Sequence, residues 1–130
     1  MENDKYIKFV DSLYVGTKAN KIKWKYLEDD ALTSEIIGAN PFSGYYFIDG
    51  RQFDYQQSFY TEKDNNIIVF CYSAGLGHSL LIVAGGTMKY SKLLNELDTG
   101  SRMIKLLAAI RKQFPNPENV MDAFISEFGS

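Results

Sequence analysis

The chain has little of what recognisable catalytic and metal chemistry is usually built from. Among 130 residues there is one cysteine, Cys71, and one histidine, His78. A single cysteine closes no internal disulfide and makes no thiolate cluster, and no paired His/Cys spacing is present to hold a metal. Asp49, Asp54, Glu62 and Asp64 are isolated carboxylates without the pattern of a calcium loop. No apolar run approaches the roughly 20 residues of a membrane-spanning helix, so no membrane association is expected. The opening MENDKYIKFV lacks the basic flank and apolar core of a signal peptide, which makes a cytoplasmic location the expectation. An excess of one charge is missing too. Fourteen Lys and Arg stand against 16 Asp and Glu, a net charge of −2 with a pI near 5.4. That balance offers no global attraction to nucleic acid and no strongly negative surface of the kind a DNA mimic needs.

What the chain does have is aromatic residues, at 15%: nine Tyr, nine Phe and one Trp. The length suits one domain over residues 1–130, and a 45% hydrophobic content excludes disorder. There is no internal repeat, low-complexity tract or linker. Residues Asp4 to Val15 place Tyr6, Phe9, Val10, Leu13 and Tyr14 at three- and four-residue spacings, the stripe of an amphipathic helix ended by Gly16 or Asn20. Ile22 to Leu27 alternates, with Ile22, Trp24 and Tyr26 on one side of a half-buried strand. Residues 28–43 carry turn signals and a length that fits a functional loop. Asp49-Gly50 joins Tyr45–Ile48 to a strand beginning at Arg51, because Asp-Gly supplies the positive φ angles of a type I′ turn. In that second strand Phe53, Tyr55, Gln57 and Phe59 share one face.

After a polar turn over Thr61 to Asn66, two continuous apolar runs follow, Ile67–Tyr72 and Leu80–Ala84. Such runs predict central strands covered on both faces. Either helices cover both faces, or a partner chain, including a second copy in a homo-oligomer, covers one. Ser91–Leu97 reads as a short helix. Ser101 caps a helix to Gln113 with Met103, Ile104, Leu107, Ile110 and Phe114 buried. Asn116 and Pro117 open a last helix that buries Val120, Met121, Phe124 and Phe128. The fold class is α+β: an N-terminal helix, an antiparallel meander of about five strands, and two or three C-terminal helices.

Three chemical readings compete. His78, beside glycines in Ser73-Ala74-Gly75-Leu76-Gly77-His78-Ser79, can act as a general base with Cys71 or Ser79 as nucleophile. Against that, the glycines are explained by a turn that needs positive φ, and a cysteine in an apolar strand is most often an inert core thiol. Gly75-Leu76-Gly77 matches no phosphate-loop spacing and leads into a strand rather than a helix. Lys21, Lys23 and Lys25 share one strand face, either a phosphate contact or a solvated surface. The tyrosines are the remaining lead. Tyr45, Arg51, Tyr55, Tyr60 and His78 are the candidate partner- or ligand-binding residues, since Tyr, Trp and Arg both stack on nucleotide-like ligands and anchor protein interfaces. No cofactor is implied.

The leading aromatic-striped helix followed by Lys21-Ile22-Lys23-Trp24 resembles small uncharacterised bacterial and phage-associated proteins with the same order of elements. The resemblance implies no activity, and favours an accessory factor. A non-catalytic binding protein (an inhibitor, immunity or mobile-element factor) working through an aromatic surface is the leading expectation. A protein that sequesters a nucleotide-like metabolite is the second, and a small enzyme centred on His78 the third.

Overall fold

A computed structural model describes residues 2–27, 45–48, 50–85, 91–95, 101–114 and 117–129. Helix α1 spans Glu2–Lys18 and buries Val10, Leu13 and Thr17, with Tyr6, Phe9 and Tyr14 half-buried beside them. It stops at Asn20, whose φ of 60° closes the helix: the Asn20 amide bonds the Thr17 carbonyl at 3.0 Å and the Lys21 amide bonds the Gly16 carbonyl at 2.9 Å. Gly16 serves packing rather than termination. A Cβ there would lie 2.5 Å from Ile22 Cδ1.

The alternating segment 22–27 forms a ladder only at β1, Lys25–Tyr26. Side chains hold the rest. Trp24 is buried, with its indole N–H donating to Thr17 Oγ1 at 2.9 Å and its amide to Gln113 Oε1 at 2.9 Å. Gln113 Nε2 donates to the Ile22 carbonyl at 2.7 Å, and Thr61 Oγ1 donates to that of Lys23 at 2.7 Å. Tyr26, expected on the same buried side, is exposed and leans its ring on Phe59 and Phe114.

The main sheet is antiparallel, in the order β1-β4-β5-β6-β7. Four strands carry it: β4 (Phe59–Lys63), β5 (Asn66–Ser73), β6 (His78–Gly85) and β7 (Ser91–Asn95). Two expectations are corrected here. Thr61–Lys63 belongs to β4 rather than to a turn, and the turn is two residues, Asp64 and Asn65, with φ of 53° and 64° between paired Lys63 and Asn66. Residues 91–95 form a strand, not a helix, because the long β6 leaves a row of backbone donors and acceptors that β7 pairs.

Strands β2 (Tyr45–Ile48) and β3 (Arg51–Asp54) form a separate hairpin, with Ile48 opposite Arg51 and Gly50 at φ 74°. The conformation of Asp49 lies outside the described residues, as do the signals read in residues 28–43 and at Asn116. The single strand expected from Arg51 to Phe59 is broken by a 3-10 turn at Tyr55–Gln57 before β4 begins. Ser58 makes the break. Its hydroxyl donates to the Asp54 carbonyl at 2.7 Å, accepts from the Tyr72 amide at 3.3 Å, and bonds the Tyr46 hydroxyl.

Helix α2 (Arg102–Arg111) packs with α1 on one sheet face, joining Val10, Leu13, Trp24, Phe59, Phe70, Leu81, Met103, Leu106, Leu107 and Ile110 in one core. Ile104, expected in that stripe, is 67% exposed, and Leu106 takes its place. Ser101 makes no side-chain cap bond; its carbonyl accepts the Ile104 amide instead. On the other sheet face the chain's own hairpin supplies cover among the described residues. There Ile67, Val69, Cys71, Leu80, Ile82 and Ala84 form a second core with Leu27, Tyr46, Phe53, Tyr55 and Tyr60. Helix α3 (Pro117–Phe128) is the last element. No described helix is long and apolar enough to cross a membrane.

Candidate functional site

The hairpin is tied to the β5–β6 turn, and this fixes His78. Alternation and register place His78 opposite Ser73, on the hairpin-covered face, and Ser79 opposite Tyr72, on the helix-covered face. His78 Nε2 lies 3.3 Å from the Gln52 carbonyl, and its ring meets Phe53 edge-on at 5.1 Å. The Ala74 amide donates to Asp54 Oδ2 at 3.1 Å, a second tie between the same two segments. Gly77 has φ 68°, the positive angle that the four-residue turn requires, and its amide bonds the Ser73 carbonyl at 2.7 Å. His78 therefore latches the hairpin onto the sheet.

Cys71 shares the sheet face of His78 but belongs to the second core. Its thiol is fully buried and bonds to Tyr46, and burial pushes its pKa up to about 12. A thiol held that high is not a thiolate at neutral pH, so it has little nucleophilic character. Burial also raises the Tyr46 phenol, with Cys71 adding to the rise. Among the described residues no group of three or more His, Cys, Asp or Glu side chains converges as metal ligands would.

The five residues expected to bind are not brought together. Tyr55 and Tyr60 are buried in the second core, Tyr60 opposite Lys25 in the ladder. Tyr45 is exposed on the outer face of the hairpin with Phe47. Arg51 is exposed at the hairpin tip, opposite Ile48 and hence on the other face from Tyr45. Arg102 pairs with Asp11 at 3.1 Å on the helical side, and Arg111 lies 5.2 Å over the Tyr72 ring. No aromatic-and-arginine clamp for a base is assembled from these groups.

Two features that pattern reading missed stand out on the surface. The first is α3, PENVMDAFISEF, whose apolar side chains were expected to be buried. Val120, Met121, Phe124, Ile125 and Phe128 are instead 43–72% exposed, with the rings of Phe124 and Phe128 in contact at 5.8 Å. Helical periodicity puts all five on one stripe, with Glu118 and Glu127 about a quarter-turn to either side and Asp122 behind. The element carries three acids and no base. A stripe pattern says that a face wants cover, not which surface supplies it.

The second is a groove of about 800 Å³ between α1 and the β1–β4 edge. Phe9, Leu13, Ile22 and Ile68 contribute its apolar lining, and Lys21, Lys23, Lys25 and Lys63, all exposed, bring four positive charges against the single carboxylate of Glu62. The lysine alternation visible in the sequence was its signal. A smaller hollow of about 360 Å³ between α1 and α2 carries Lys18, Lys105 and Lys112.

No protein-family model, curated protein or solved structure matches the chain.

Proposed function

We propose that the chain is a non-catalytic binding protein that engages a protein partner through the apolar face of α3. One observation carries this reading: five large apolar side chains, two of them phenylalanines in contact, lie exposed on one helix stripe. Contiguous exposed apolar surface marks interaction sites, and a helix presenting anchors at i, i+4 and i+8 is the donor half of helix-in-groove recognition. The engagement of His78 with Gln52 and the high pKa of Cys71 support binding over catalysis. An inhibitor, immunity or mobile-element accessory role fits a protein of this kind.

A photo-reactive residue introduced at Phe124 tests the reading in the cells that produce the protein, with Gln56, exposed on the 3-10 turn, as the control position. A discrete protein adduct is expected at 124 and not at 56, lost with Phe128→Ala. Equal labelling at both positions overturns it. A second reading, an anionic or nucleotide-like ligand, draws on the lysine-rich groove alone. Saturable phosphate-dependent protection of Lys23 from acetylation favours that reading, and its absence removes it.

A further inference from the structure

Resting on the binding-protein reading above, we infer that the partner of α3 is a second copy of this chain, with each α3 docked in the lysine-rimmed groove of the other. The two surfaces answer each other in kind and in sign. α3 offers an apolar stripe with Glu118 and Glu127 along its flanks and no positive charge. The groove offers an apolar floor of Phe9, Leu13, Ile22 and Ile68 beneath Lys21, Lys23, Lys25 and Lys63. Apolar contact supplies affinity at the floor, while opposite charges at the rim set orientation and reject other helices. At 1.5 Å per residue the twelve residues of α3 measure about 18 Å, three turns, enough to seat Val120 or Met121, Phe124 and Phe128 in succession.

Two copies of α3 laid face to face would bring their flanking carboxylates together with no positive charge on either helix, so α3 against α3 is disfavoured. A reciprocal exchange of α3 into groove uses two identical contacts about a two-fold axis. It closes at a dimer rather than growing as a chain, and doubles the buried surface relative to one contact. The charges at the rim and along the helix flanks, Lys21, Lys23, Lys25, Glu118 and Glu127, are all exposed, so reversing them leaves the two cores intact.

The experiment is solution mass by light scattering across a dilution series in the micromolar range, at low and high salt. The expected species is twice the 14.8 kDa chain, weakening as salt screens the rim. Lys21→Glu, Lys23→Glu and Lys25→Glu combined should raise the dissociation constant by about a hundredfold or more, and so should Glu118→Lys with Glu127→Lys. The two sets together should restore the dimer, which a merely unfolded variant cannot do. A monomer at every concentration and salt overturns the inference, as does a dimer that both charge reversals leave unchanged. If the chain is monomeric while the Phe124 adduct forms with a protein of another mass, the exchange fails and the binding reading survives.

Discussion

Cys71 shows how one buried atom couples to the whole fold. Its thiol moves from an ordinary 9.0 to about 12 because burial penalises the charged form. The neutral thiol is thus the form the fold accepts, and above pH 9 the unfolded chain gives up its proton while the folded chain keeps it. The unfolded state then binds fewer protons than the folded one, so stability falls as pH rises from 9 towards 12 and is unaffected by this group below 9. The raised Tyr46 phenol acts in the same direction. Denaturation midpoints of the wild type and Cys71→Ala, followed through that window, should show a shallower decline in the variant. Parallel declines would mean that the thiol titrates normally. Folded protein at pH 8 should also resist alkylation of Cys71 until it is unfolded.

Among the elements, those with long periodic stripes were legible and those defined by a few specific hydrogen bonds were not. α1, β5, β6 and the placing of α2 follow from apolar spacing, because burial of a stripe dominates their energetics. The break at Tyr55–Gln57 depends on Ser58 bonding Asp54, Tyr46 and Tyr72, contacts that join residues up to 14 apart. No local pattern announces them. The short run at residues 91–95 suits helix or strand, and only the unpaired edge of β6 decides it. Of the candidate site residues, burial took Tyr55 and Tyr60, and strand alternation separated Tyr45 from Arg51. The β4–β5 turn is an element in which chemistry was readable but was passed over: Asp and Asn tolerate the left-handed region better than other side chains. Asn65→Val should therefore cost about 1–2 kcal/mol, while Asn65→Gly should leave stability at or slightly above the wild type. Urea unfolding with an unchanged slope measures both, and a neutral valine would contradict the φ of 64°.

At the scale of the molecule, two cores and one uncovered helix among the described residues summarise the energetics. The sheet is already covered on both faces, by α1 and α2 on one side and by the β2–β3 hairpin on the other, so its own apolar runs need no partner chain. The demand for cover has moved to α3. A helix of twelve residues is marginal in water without tertiary packing, because most helical stability in proteins comes from burying an amphipathic face. Its order in solution should consequently depend on whatever covers it. Hydrogen exchange of the α3 amides at increasing protein concentration measures this most directly. Rapid exchange is expected in dilute protein, with protection growing with concentration, in step with protection at Lys21–Lys25 and along β4. Strong protection of α3 at every dilution, with no change at the groove, would show that the chain covers the helix itself and would contradict the central claim.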